Sequence, residues 1–231
     1  MKVAVTMVRD EADIIGHTLG LMLTQVDHAI VADNLSTDST REILESFGDR
    51  VTIIDDQEQA YYQADKMTRL THLAGEMGAE WVCPFDADEA WWLPDLDTVG
   101  GDVVLVRPHV YVPQPSDGQD PNPITRIVHR MPQPEHQAKV CFRYHPDAAL
   151  HMGQHDVEHP GPRVSAGTVR HYQYRSLEQV RRKVSNGVGA YNATNLPPLY
   201  GTHWRDLDVL DDAGLESWWN EYLAQELVLD P

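Results

Sequence analysis

Through the first half of the chain, short apolar runs alternate with longer stretches whose apolar residues recur at helical spacing. Lys2 to Val8 reads as a strand, and the polar Arg9 to Asp13 leads into a helix carrying Ile14, Ile15, Leu19, Met22 and Leu23. His28 to Ala32 predicts a second strand. Ser39 and Glu42 fit a capping box opening a helix through Ile43, Leu44 and Phe47, which stops at Gly48. Val51 to Ile54 predicts a third strand, and Ala64 to Met77 a helix with Met67, Leu70, Leu73, Ala74 and Met77 on one face. The run from Trp81 to Phe85 predicts a buried strand that ends in Asp86, Asp88 and Glu89. Strands alternating with helices imply an α/β fold with a parallel sheet and right-handed crossovers.

The second half is less regular. Val103 to Val112 reads as one strand, followed by a loop crowded with prolines from Pro113 to Pro134. Leu215, Trp218, Trp219, Tyr222, Leu223 and Leu227 form an amphipathic stripe in an acidic tail. Core packing is the default for that stripe, and a homodimer or partner surface the sharper alternative. The chain divides into residues 1–112, residues 113–204 with the loops and a late His/Arg stretch, and a C-terminal amphipathic helix over 205–231.

At 231 residues the chain can bury one sizeable core. Its 36 Asp and Glu against 18 Lys and Arg give a formal charge of −18, a field that repels nucleic-acid backbones and anionic membranes. No apolar stretch reaches the roughly 20 residues needed to span a bilayer. The start on a strand without a leader pattern, and only two cysteines, Cys83 and Cys141, make the cytoplasm the default compartment.

Candidate chemistry gathers where the early strands end. Acidic residues stand at Glu11, Asp33, Asp55 and Asp56, then Asp86 and Asp88. In an open α/β sheet such positions face the binding crevice. On a continuing strand Asp86 and Asp88 share one face and one cation, and carboxylate oxygens suit Mg²⁺ or Mn²⁺. No glycine-rich dinucleotide or Walker loop follows an early strand. The histidines at 151, 155 and 159 have the spacing of a zinc face, but Gly153, Pro160, Gly161 and Pro162 oppose a helix there.

Three segments in order, Val3 to Ile15, Val31 to Thr40 and Phe85 to Glu89, resemble the signatures of family 2-type glycosyltransferases of the GT-A fold. The D-A-D-E string with its following tryptophans, and the late His171-Tyr172…Arg175-Ser176…Lys183 stretch, resemble one subgroup of that family. The resemblance implies a GT-A-like (Rossmann-like), mostly parallel sheet flanked by helices, with a C-terminal acceptor-side region. It implies a metal-dependent, inverting glycosyltransferase of the hexosyltransferase type, taking a UDP- or GDP-type sugar donor to an unknown acceptor. Residues matching donor contacts are Val8, Arg9, Glu11, Asp33, Asp65, Lys66 and Asp86, with Arg175 and Lys183 against the diphosphate. Alone, Asp33 reads as an Asx turn and Lys66 as a solvated helix lysine. Metal ligands would be Asp86, Asp88 and His171. The catalytic base would be Asp156 first, His155 second and Glu89 third. A metal-dependent nucleotidyltransferase or sugar-nucleotide hydrolase would use the same carboxylates. A non-catalytic GT-A-like binding module is the remaining alternative.

Overall fold

The computed structural model describes all 231 residues. Strands and helices alternate at first: β1 (Lys2–Val8), α1 (Ile15–Leu23), β2 (His28–Asp33), α2 (Thr40–Glu45), β3 (Val51–Asp55), α3 (Gln63–Glu76) and β4 (Trp81–Pro84). Shorter pieces follow: β5 (Glu89–Trp92), β6 (Val103–Val106), β7 (His109–Val110), α4 (Pro123–Arg126), β8 (His129–Arg130) and β9 (Lys139–Arg143). Next come β10 (Ala149–Leu150), β11 (Val157–Glu158), β12 (Arg163–Ser165) and β13 (Thr168–His171). The chain closes with α5 (Leu177–Asn192), α6 (Thr202–Asp208), α7 (Asp212–Leu223) and β14 (Val228–Leu229).

Seven strands form the central sheet in the order β12-β6-β9-β4-β1-β2-β3. Only β9, wedged between β4 and β6, runs antiparallel to its neighbours; the other pairings are parallel. The fold is therefore mixed α/β, with a large, mostly parallel sheet flanked by helices. Alternate residues feed two cores, as strands buried on both faces require. Ala4, Val8, Trp81 and Cys83 pack with α1, whereas Val3, Val5 and Val82 pack with α3. A third cluster joins α5, α6 and α7, where Leu215 and Tyr222 are buried and Trp218 and Trp219 pack beside them.

Several local expectations fail for identifiable reasons. Ser39 precedes α2 but its hydroxyl makes no cap bond, because its ψ of 15° departs from the extended cap conformation; Asp38 instead accepts from the Thr40 amide at 2.9 Å. Met77 lies outside α3's buried face and is 40% exposed. The span Val103 to Val112 is two strands. Pro108 lacks an N–H to continue the ladder, and β7 leaves the central sheet to pair with β13. The stretch 205–231 is not one helix; α6 ends at Asp208, and Asp211 caps α7 through the Gly214 amide.

Candidate active site

The ends of β1, β2 and β4 open into one cavity of about 800 Å³. The carboxylates Asp86 and Asp88 line it, but not as residues of one strand. β4 stops at Pro84, and Asp86 to Asp88 form a turn secured by the Asp86 amide donating to Glu89 Oε2 at 3.1 Å. Three further elements complete the floor and roof. β13 pairs with β5 so that His171 stands opposite Glu89. β9 begins with Lys139, and α5 lays Arg182, Lys183 and Asn186 over the cavity.

Asp88 is buried among three basic side chains: the Lys183 ammonium touches it, His171 Nε2 lies at 3.6 Å and Arg175 Nη1 at 4.0 Å. Burial would raise its pKa, but Lys183, His171 and Arg175 hold it well below the ordinary carboxylate range. His171 is oriented by Glu135, whose carboxylate stands 3.2 Å from Nδ1, so Nε2 points at Asp88. Burial lowers the His171 pKa, but Asp88 and Glu135 outweigh it and raise the pKa above the ordinary value. Lys183 also reaches Glu11 at 3.4 Å. Arg175, almost fully buried, binds Glu11 and grips Asp13 at 2.7 and 2.9 Å.

Asp86 belongs to a neighbouring group. Lys139 bonds it on one oxygen, while Gln154 at 2.9 Å and Gln63 at 3.3 Å donate to the other. Lys139, itself buried, also bonds Glu89 at 2.9 Å, and Trp91 Nε1 donates to Glu89 at 3.1 Å. Burial pushes the Glu89 pKa up, even against the attraction of Lys139.

The remaining expected residues divide between cavity and surroundings. Val8, Arg9, Glu11 and His155 line the cavity. Arg9 has two buried guanidinium nitrogens without a hydrogen bond, and its Nε stands 3.9 Å from Asp10. Asp33 does not line the cavity; it accepts from the Ser36 amide at 3.2 Å, and its neighbour Asn34 faces inward instead. Asp65 stays outside the cavity lining on α3. Lys66 is no solvated lysine: it is buried against Asp56 at 2.6 Å, behind the cavity wall. Asp156 also stays outside, paired with Arg163 at 2.9 Å. The histidines of the 151/155/159 set bond separately to Glu158, the Ala138 carbonyl and the Arg143 carbonyl.

Lys139, Glu135, Asp13 and Gln63 were not expected in the site. Each lies far along the sequence from the residue it serves, and no local pattern marks it. No three His, Cys, Asp or Glu side chains are gathered closely enough to hold a metal. Asp88 and His171 nonetheless offer two donors about as far apart as neighbouring ligands of one small cation. A carboxylate on the far ring nitrogen is the usual support of a metal-ligating histidine. Two protein donors fit an ion that keeps water and substrate phosphate as its other ligands.

Residues 4–97, less than half of the chain, match the family described as Glycosyl transferase family 2. No curated protein matches the chain. Among solved structures, S. aureus TarS 1-349 is 13% identical over 88% of this chain and 68% of its own, with a TM-score of 0.46. A 4-diphosphocytidyl-2C-methyl-D-erythritol synthase is 16% identical over 62% of this chain and 74% of its own, with a TM-score of 0.39. Mannose-1-phosphate geranyltransferase from Thermus thermophilus is 9% identical over 62% and 50%, with a TM-score of 0.33. All three likenesses are distant.

Proposed function

We propose that this chain is an inverting glycosyltransferase that moves a sugar from a nucleotide-diphosphate donor, UDP- or GDP-linked, to an acceptor hydroxyl. One observation carries the reading. On a protein of charge −18, Lys183 and His171 meet Asp88 in the cavity at the strand ends, with the buried Arg175 behind them. The family match over residues 4–97, which contain Asp86 and Asp88, supports it.

The donor's diphosphate lies against Lys183, behind which the buried Arg175 holds Glu11 and Asp13, and its nucleoside lies against Val8, Arg9 and Glu11. Asp88 and His171 would hold a divalent cation, which when bound neutralises charge on the leaving diphosphate. Lys183 must exchange its bond to Asp88 for one to phosphate when that happens, a swap between two oxyanions. Asp86 is fixed at the cavity by Lys139, Gln63 and Gln154.

His155 takes the base role ahead of Asp156, which points away toward Arg163. Its Nδ1 lies 3.0 Å from the Ala138 carbonyl, so Nδ1 carries the proton and Nε2 keeps its lone pair. Burial first, and then Lys139, lower its pKa, which keeps the ring neutral. In the single displacement the acceptor O–H proton passes to Nε2, the new bond forms at the anomeric carbon, and the bond to diphosphate breaks.

The test is a nucleotide-release assay with a panel of UDP- and GDP-sugars and Mn²⁺, with products resolved by mass and anomeric configuration. Nucleoside diphosphate released with an inverted anomeric centre is expected. Release of sugar 1-phosphate and nucleoside monophosphate would instead establish hydrolysis of the donor.

A further inference from the structure

The cavity has a second wall that donor binding leaves unused. Tyr61, Tyr191, His203 and Trp204 line it. Ring centroids lie 4.9 Å apart for Tyr61 and Tyr191, and 5.6 Å from Trp204 to each of those two. The His203 ring adds to Trp204 at 4.7 Å. The Tyr61 amide donates to the Ala190 carbonyl at 3.1 Å, which fixes the loop before α3 to the end of α5. Trp204 lies on Gly187 so closely that a methyl group there would stand 2.1 Å from the indole.

Helix packing alone does not account for this wall. Trp204 Nε1 is buried with no hydrogen-bond partner, an uncommon and costly state for an N–H unless a ligand supplies the acceptor. The wall also meets a polar shelf: Gln63, two residues beyond Tyr61, donates to Asp86, as Gln154 does. Burial first, and then the Asp86 charge, raise the Tyr61 pKa well above its ordinary value and keep it a neutral hydroxyl.

Aromatic rings tilted 50° to 77° to one another, beside a carboxylate held by amides, offer ring faces and edges to a ligand with one apolar face and a rim of hydroxyls. A pyranose has both. A nucleobase needs in-plane partners, and the side-chain N–H groups of Asn34 on that side are committed to Asp56 and Glu58. An acyl chain would leave Asp86 and the indole N–H unmatched.

We propose that Tyr61, Tyr191 and Trp204 form the acceptor subsite and that the acceptor is a saccharide, its ring stacked on this wall and its hydroxyls reaching Asp86. The inference rests on the glycosyl-transfer reading above.

The experiment titrates the intact protein with free glucose, galactose, mannose, N-acetylglucosamine, maltose and cellobiose, without nucleotide. Binding is followed by tryptophan fluorescence and by saturation-transfer NMR. At least one saccharide should bind saturably. Tyr61→Ala should weaken it about tenfold, the loss of one stacked ring, while UDP and GDP binding stay as in the wild type. Trp204→Phe, which keeps a ring on Gly187 but removes the N–H, should weaken the saccharide at an unchanged melting temperature.

Absence of saccharide binding overturns the proposal whether or not nucleotide binds. Loss of nucleotide binding in Tyr61→Ala would make the wall a base slot and overturn it too. Competition by a nucleotide sugar but not by its nucleotide would assign the wall to the donor's own sugar and overturn the acceptor assignment. Saccharide binding with no nucleotide binding would keep the wall and remove the donor reading instead.

Discussion

At the scale of residues, the site is a set of buried charges that balance only as a group. Lys139 bridges Asp86 and Glu89, so Lys139→Met leaves the buried Glu89 and the half-buried Asp86 without a cation. The variant should lose about 3 kcal/mol of stability, and adding Glu89→Gln should return part of it, as chemical denaturation of both would measure. His155 depends on a residue without a side chain. A methyl group on Gly153, whose φ is +74°, would lie 2.3 Å from His155 Nε2. Gly153→Ala should therefore lower kcat about a hundredfold, as should His155→Gln, with the donor's KM little changed in steady-state assays. Sequence reading reached Asp86, Asp88, His171, Arg175 and Lys183 because they sit in compact strings. It placed Asp33 and Lys66 in the donor pocket, but Asn34 faces the cavity in place of Asp33, and Lys66 is turned to Asp56. Lys139 was invisible: nothing about a lysine opening an apolar strand marks its partners, Asp86 and Glu89, far back along the chain.

At the scale of elements, α5 roofs the cavity and is tied down through Asp10, which accepts from Asn186 at 2.8 Å and the Thr37 amide at 2.6 Å. Burial acts to raise the Asp10 pKa, but these hydrogen bonds bring it below the ordinary value. A lowered native pKa stabilises above the unfolded value and ceases to do so as pH falls through the folded one. The stability difference between wild type and Asp10→Asn should thus be full at pH 7 and shrink below about pH 4, in denaturation curves across pH. Gly201 starts α6 at a φ of +72° with the Tyr191 ring against it. Gly201→Ala should cost about 2 kcal/mol, from left-handed backbone strain plus the clash, measurable by denaturant midpoint. The strands and helices to Pro84 were legible because both faces of the sheet are buried and the apolar runs are continuous. Beyond Val106 the strands are two to five residues long and take their partners from distant segments, so periodicity had too little length to read.

At the scale of the whole molecule, an acidic protein collects its scarce cations on one carboxylate, Asp88, and sets an aromatic wall across the cavity. No helix is long and apolar enough to cross a membrane. Nucleotide-sugar transfer requires a nucleoside diphosphate to bind where Lys183, Asp88 and His171 meet. Thermal unfolding with UDP, GDP, CDP and dTDP, each with and without Mn²⁺, tests that most directly, on wild type and Asp88→Asn. A bound ligand raises the melting temperature by mass action. A rise is expected with one of these nucleotides that Mn²⁺ enlarges and Asp88→Asn abolishes. No rise with any of them, or a rise that Asp88→Asn leaves intact, would contradict nucleotide-sugar transfer.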